Sequence, residues 1–219
     1  MASIALLCWL AVGQAPDDAP TLFPMEDCDC FPPLRATPCS LQFLGGYHAL
    51  INARGARMGL YPNGEWGKWL DFNYASGLVR LGFAPGETRL GGTYFAGAPS
   101  LLFEYMGAGI TDGFGHYLTG PSALARYTFH PDAGLQPYVQ AGAGAIYTDA
   151  DRDPNQRLIG GDFEFLMQLG VGLQCRLDPH WSLDGEIGLH HISNAGLHSR
   201  NVGANTFGAA AGVTYRFGR

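Results

Sequence analysis

Two polar residues near the end of the chain have the types and the spacing of an activated serine nucleophile. His191 and Ser193 are separated by one residue, within the stretch LHHISNAGLHSRNVGANTF that covers positions 189–207. In a strand, side chains two residues apart point to the same side, so the imidazole would lie within reach of the hydroxyl proton. That is the minimum geometry for a serine nucleophile activated by a base. The pattern also arises by chance, so its meaning depends on the elements that position it.

Alternation of apolar and polar residues predicts eight strands and no helix of useful length. In the clearest strand, 163–177, every odd position is apolar, whereas the even positions include Glu164, Gln168 and Arg176. The other predicted strands are Leu41–Tyr47, Val79–Phe83, Leu101–Tyr105, Pro121–Phe129, Leu135–Tyr147, Trp181–Ser193 and Thr206–Phe217. Long strands in series, separated by Gly, Pro, Asp and Asn clusters, predict an all-β fold, an eight-stranded antiparallel up-and-down barrel.

The distribution of charge favours an outer-membrane barrel over a soluble one. The polar face carries charged residues that a narrow lumen can pair with one another: Arg80, Glu104, Arg126, Glu164, Asp184, Glu186 and Arg216. The opposite face is a belt of Leu, Phe and Val that suits lipid, and Phe217 lies near the end of the chain as an aromatic does in such barrels. A soluble, lipocalin-like carrier is the alternative, and it predicts that Phe165 and Leu169 point inward.

Composition and the N-terminal sequence bound the remaining possibilities. The net charge of −6 gives no indication of a positively charged surface, so nucleic acid is not expected as a partner. Residues 1–15 resemble a secretory signal peptide without its basic start, although a buried core segment is the alternative. Residues 16–38 read as an extended Cys/Pro-rich segment, and residues 39–219 as the barrel.

The cysteines point to a disulfide rather than to a metal site. Cys28 and Cys30 lack a second pair at zinc-site spacing. In an exported protein, a disulfide among Cys28, Cys30 and Cys39 is the stronger expectation. Cys175 lies in a strand pattern, where we expect it only to pack.

Barrel topology predicts where the His-Ser pair lies. With an even number of strands, both termini face the periplasm and the longer loops face outward. The strand Trp181–Ser193 then runs outward, and 194–204 is an extracellular loop. His191 and Ser193 share the parity of the apolar face, so they would face lipid at the outer leaflet, where polar side chains are costly and are functional candidates. Alternatively, they mark the polar rim where the strand leaves the bilayer.

The run HISNAGLHSRNVGAN, on the next-to-last strand, resembles the PagL-type lipid A 3-O-deacylases, also called acyloxyacyl hydrolases. The family's H-x-S-N-A/G core and its later N-x-G are matched by His191, Ser193, Asn194, Ala195, Asn201 and Gly203. Upstream, YVQAGAGAIYTD and FEFLMQLGVGLQCRL look like the family's fifth and sixth strands. The resemblance covers Pro121 to the end well and the first half only in pattern.

The resemblance implies an outer-membrane serine esterase that removes a 3-hydroxyacyl chain from lipid A without a cofactor or a metal. Ser193 would be the nucleophile and His191 the general base. The oxyanion would be stabilised by backbone N–H groups near Asn194 to Gly196, or by the side chains of Asn194 and Asn201. The partners implied are lipid A, or lipopolysaccharide, in the outer leaflet of the membrane. A second copy of the chain is a further candidate partner.

One position departs from the family's pattern. The best-known members place a glutamate on the last strand to orient the histidine, and the matching residue here is Asn205. Its parity puts it on the same face as His191, and an amide oxygen can orient an imidazole, although it stabilises imidazolium less than a carboxylate does. The departure keeps open a non-catalytic structural or anchoring barrel as the alternative function.

Two loop residues beside the pair are candidates for substrate binding. His198 and Arg200 follow the motif closely, and each offers a donor to a lipid A phosphate. The alternative is an ordinary solvated loop.

Overall fold

Eight of the ten strands that the structure describes form a closed antiparallel barrel. The structure is a computed structural model that describes residues 39–52, 58–60, 66–69, 71–83 and 93–217. The barrel strands are β1 (Cys39–Leu50), β4 (Asn73–Phe83), β5 (Gly97–Asp112), β6 (Tyr117–Phe129), β7 (Leu135–Thr148), β8 (Phe163–Arg176), β9 (Trp181–Ser193) and β10 (Ala204–Arg216). The short strands β2 (Met58–Leu60) and β3 (Trp66–Trp69) form a separate pair.

Each barrel strand pairs with the next along the chain, and β10 closes the ring on β1. The predicted eight-stranded up-and-down barrel is therefore confirmed. The segments 1–15 and 16–38, predicted as signal peptide and extended segment, lie outside the described residues. A short 3₁₀ helix, Ala150–Arg152, follows β7. No helix in the described ranges is long and apolar enough to cross a membrane.

The apolar face of the strands points outward. On β8, Phe165 and Leu169 are 39% and 58% exposed, whereas the residues just before them, Glu164 and Gln168, are buried. This orientation contradicts the lipocalin-like alternative, which needs the apolar residues inside. An outward belt of large apolar side chains suits a lipid surround.

The interior is filled by side chains rather than left as a pore. A hydrogen-bonded row that begins at Ile192 passes through all eight strands and returns to β9 at Ser182, ten residues away. Eight strands with this stagger enclose a lumen just wide enough for packed side chains. At its middle, the Arg80 guanidinium, which is 1% exposed, bonds Glu104 at 2.6 Å and Glu186 at 2.7 Å. The predicted pairing of lumen charges is thus present.

The lumen changes character at the end from which the loops 113–116, 149–162 and 194–203 leave. There an apolar cluster closes the interior: Phe72, Phe114, Leu118, Ile146, Leu158, Ile159, Leu166 and Ile192. Phe72 stacks on Phe114 with their ring centroids 4.9 Å apart. Alternation along the strands did not predict this cluster, because several of its members lie in loops. It anchors the loops on the barrel and so gives them a fixed position.

Cys175, near the opposite end of β8, is disulfide-bonded. The expectation that it only packs was therefore wrong, since a strand pattern carries no information about a distant thiol. The side chains of Cys28, Cys30 and Cys39 lie outside the described residues, so the disulfide predicted among them stays a prediction.

Candidate active site

His191 and Ser193 lie at the C-terminal end of β9, at the loop end of the barrel, and both are half-buried. Their shared parity puts them on the outward face, as the alternation predicted. On one side they pair with β8, where Met167 lies opposite His191 and Phe165 opposite Ser193. On the other side, Asn205 at the start of β10 lies opposite His191. The polar side chains of β9 and β10 therefore form one small patch, which borders the apolar belt at β8.

The Asn205 side chain is hydrogen-bonded to the imidazole. Its Oδ1 lies 2.8 Å from His191 Nδ1. An amide oxygen can only accept, so Nδ1 must donate its proton, and the lone pair then lies on Nε2. Within the described part of the chain, neither His191 Nε2 nor Ser193 Oγ makes a further hydrogen bond. Nε2 is thus in the form that can take a proton from a hydroxyl.

Gly203 packs against the edge of the same imidazole. Its φ of +77° lies in the left-handed region that favours glycine. A Cβ there would lie only 3.1 Å from His191 Cε1. The glycine therefore allows the chain to pass close to the ring and limits how far the ring can tilt.

The loop after Ser193 is held by Asn194, which is completely buried. Its Oδ1 accepts the N–H of Gly196 at 3.0 Å, and its Nδ2 donates to the Arg200 carbonyl at 3.0 Å. Its own N–H donates to Asn201 Oδ1, also at 3.0 Å. Asn194 therefore uses its amide, and Gly196 its N–H, within the loop.

Two donors beside Ser193 are left without a hydrogen bond among the described residues. They are Asn201 Nδ2 and the N–H of Ala195, a residue held at a positive φ of 52°. A non-glycine residue in this conformation is uncommon and is found at functional turns. Among the groups that the sequence suggested for stabilising the oxyanion, these two donors are not used in hydrogen bonds within the loop.

A carboxylate that sequence reasoning did not connect with the site supports this loop from below. Glu164 is completely buried on β8, and its Oε1 accepts the N–H groups of Gly160 and Gly161 at 3.1 and 3.0 Å. The same oxygen lies 3.5 Å from Asn194 Nδ2. In the sequence, the only feature of Glu164 was its position on the lumen face. That position indicated a structural role but did not show which groups the carboxylate would bond.

The two residues suggested for substrate contact differ in their surroundings. His198 is exposed on the loop. The Arg200 guanidinium donates to the carbonyls of Asp151 at 2.6 Å and Asp153 at 2.8 Å, and more weakly to that of Gln156. Arg200 thus joins the loop 194–203 to the loop 149–162. A contact of either side chain with a phosphate stays a prediction.

The electrostatics at the rim include one strongly held carboxylate. Asp149 accepts from the backbone N–H and the Nδ1 of His116, both at 2.7 Å. Burial raises the pKa of Asp149, but these two bonds and the N–H of Tyr117 outweigh it and lower the pKa to about 2. Among the described residues, no group of three or more His, Cys, Asp or Glu side chains could hold a metal ion.

The cavity within the barrel is separate from this patch. It is lined by His48, Gln140, Gln168, Glu186 and His190, among others. His190 faces the lumen and bonds Tyr74 at 2.9 Å, whereas its neighbour His191 faces outward. The strand itself therefore lies between the cavity and Ser193.

Comparison with known proteins gives a family match over most of the chain. The family model for lipid A 3-O-deacylase (PagL) matches residues 47–214. The crystal structure of Neisserial surface protein A is 14% identical, with 82% of this chain and 97% of that chain covered and a TM-score of 0.53. The crystal structure of the outer membrane enzyme PagL is 16% identical, with 82% of this chain and 98% of that chain covered and a TM-score of 0.46. No curated protein matches significantly.

At these identities, the likeness to Neisserial surface protein A shows the fold alone. The family match rests on the sequence itself, and it includes most of the barrel and the whole polar patch. The family is one of outer-membrane proteins, and the barrel with its outward apolar belt agrees with that location. The chain is therefore a bacterial outer-membrane protein that belongs to the PagL family of lipid A 3-O-deacylases.

Proposed function

We propose that this protein is a serine esterase that removes the acyl chain from the 3-position of lipid A. Ser193 is the nucleophile, His191 the general base, and Asn205 the residue that orients His191. The observation that carries the proposal is the 2.8 Å bond between His191 Nδ1 and Asn205 Oδ1 on the outward face of β9 and β10. It leaves His191 Nε2 able to accept the serine proton.

The reaction has two steps. Ser193 Oγ attacks the ester carbonyl and forms an Oγ–C bond, while its proton passes to His191 Nε2. The tetrahedral intermediate then expels the sugar hydroxyl, which takes the proton back from His191. In the second step, His191 removes a proton from water, and the water oxygen attacks the acyl-serine carbonyl. The C–Oγ bond then breaks, and Ser193 Oγ takes the proton back from His191. The products are the free fatty acid and the regenerated serine.

The negative oxygen of the intermediate needs donors that are already in place. The N–H of Ala195 and Nδ2 of Asn201 fill this role, because the loop leaves both without another acceptor among the described residues. Asn194 and Gly196 act one step away, through the bonds that shape the turn. Mutation of one such donor typically reduces kcat about 10²–10³-fold.

The location of the patch supports a lipid substrate. Ser193 lies where β9 meets the loops, beside Phe165 and Met167 of the apolar belt. An ester at the junction of sugar and acyl chains in the outer leaflet would reach this level. His198, which is exposed on the loop, is the better placed of the two suggested residues to contact the polar headgroup. We assign Arg200 to holding the two loops together, and a dimer of the chain remains a prediction.

A non-catalytic barrel is the second candidate function. It is favoured by Asn205, which supplies no negative charge to stabilise the imidazolium. Neisserial surface protein A, whose name describes a surface protein, has the same fold. Activity of the purified protein decides between the two candidates.

The experiment is mass spectrometry of lipid A incubated with the detergent-refolded barrel. The wild type should release one hydroxyacyl mass, and Ser193→Ala and His191→Ala should release none. Ser199→Ala, an exposed serine on the same loop, is the matched control and should retain activity. Absence of release by a folded wild-type barrel would refute the proposed function.

A further inference from the structure

The ladder between β1 and β10 is continued by a side chain after β1 ends. The last backbone contact is the N–H of Ile51, which donates to the Asn205 carbonyl at 2.8 Å. At the next residue, the Asn52 carboxamide takes the place of the backbone. Its Oδ1 accepts the N–H of Asn205 at 2.5 Å, and its Nδ2 donates to the Gly203 carbonyl at 2.8 Å. The carboxamide thus bonds β10 as a peptide group would.

Both residues that Asn52 holds touch the proposed general base. Asn205 bonds His191 Nδ1 through its side chain, and Gly203 packs against His191 Cε1. A carboxamide has an oxygen that accepts and a nitrogen that donates, and each atom makes one of these bonds to β10 or to the residue before it. Any rotation of the Asn52 side chain would break both bonds at once. The start of β10 is therefore held on the β9 side by ladder bonds and on the β1 side by the N–H of Ile51 and by the Asn52 amide.

We propose that Asn52 is a positioning residue of the esterase site, which fixes Asn205 and Gly203 so that His191 is held with its proton on Nδ1. The inference rests on the proposed function. It adds a residue that follows β1 to a site that the family motif confines to β9, β10 and the loop between them. Asn52 does not touch the reacting atoms, so its effect should appear in the orientation of His191 and not in substrate binding.

The test compares Asn52→Ala with Asn73→Ala. Asn73 is a matched control, because its Oδ1 accepts the N–H of Leu50 at 2.9 Å at the same end of β1 and it pairs with β5, not with β10. We expect Asn52→Ala to lower kcat about 10–100-fold with KM unchanged, which is the range found for residues that orient a metal-bound histidine. Asn73→Ala should leave kcat within about twofold, because no bond to β10 is lost.

A double-mutant cycle and a spectroscopic readout separate positioning from general stability. In an Asn205→Ala background, Asn52→Ala should cause a much smaller loss of kcat than in the wild type, since only the contact of Gly203 with the ring is left to position. The ¹⁵N shifts of the His191 ring, assigned with His191→Gln, should report an Nδ1–H tautomer in the wild type and in Asn73→Ala. In Asn52→Ala they should move toward the other tautomer.

Wild-type ring shifts in Asn52→Ala, or a loss of kcat that is additive with that of Asn205→Ala, would overturn the inference. If the wild type has no deacylase activity, the proposed function fails, but the ring shifts still decide the role of Asn52. Asn52→Asp is the second variant, in case Asn52→Ala does not refold. It keeps the acceptor for Asn205 but turns an oxygen toward the Gly203 carbonyl, and it should shift the ring signals in the same direction.

Discussion

The Asn205→Asp substitution changes one functional group in the proposed triad and leaves its geometry in place. Aspartate has the shape of asparagine, so an oxygen can remain 2.8 Å from His191 Nδ1. Nδ2 of Asn205 makes no hydrogen bond among the described residues, so the exchange removes none. Asn205 is half-buried, and the new carboxylate would therefore stay partly hydrated. The main change is a negative charge beside an imidazole that becomes positive in the transition state.

The size of the effect follows from the two kinds of hydrogen bond. A bond between neutral groups contributes about 0.5–1.5 kcal/mol net, and one to a charged group about 1.5–3 kcal/mol. The difference of roughly 1–1.5 kcal/mol corresponds to about a tenfold rise in kcat. The carboxylate also favours imidazolium in the free enzyme, so the acidic limb of the kcat/KM profile should move to higher pH.

The assay is lipid A deacylation in mixed micelles, followed by mass spectrometry between pH 5 and 9. Asn205→Ala is the control, and it should lower kcat about 10²–10⁴-fold because nothing orients the imidazole. The reasoning is refuted if Asn205→Asp folds but deacylates no faster than the wild type, with its acidic limb unmoved. Asparagine would then orient the histidine as well as an acid does, and charge at this position would have no role.

Three further outcomes follow from the structure. Arg80→Met should destabilise the barrel by about 3–5 kcal/mol, because it leaves the buried carboxylates of Glu104 and Glu186 without their cation. Denaturant unfolding in detergent micelles measures the loss, and an unchanged unfolding midpoint would contradict the prediction. Gly203→Ala should lower the free energy of unfolding by about 1–2 kcal/mol, because alanine is strained at a positive φ. It should also lower kcat, since the added Cβ would crowd His191, and an equal kcat in both proteins would exclude this crowding. The pKa of Asp149 is lowered from 3.8 to about 2, so its ionised form contributes stability that is complete above about pH 4 and is lost as pH falls through about 2. Asp149→Asn should abolish this part of the acid dependence of unfolding. An acid profile like that of the wild type in the variant would count against the prediction.

The strand pattern predicted the barrel and both of its faces, because a two-residue period is a local property of extended backbone. The predicted ranges failed where side chains are too small to alternate. The sequence indicated Leu101–Tyr105, whereas β5 runs over Gly97–Asp112 and includes Gly107 and Gly109. Pairing with β4 and β6 extends the strand there, and that pairing is not encoded in any single segment.

The sequence by itself determined which residues are candidates for the chemistry and on which face they lie, since the parity of His191, Ser193 and Asn205 follows from their spacing. Only the tertiary structure decided which groups remain available. Asn194 and Gly196 are used within the loop, Arg200 joins two loops, and Asn52 reaches Asn205 from 153 positions away. Barrel closure brings β1 beside β10, and hydrogen bonds between such distant residues depend on that closure and have no sequence period.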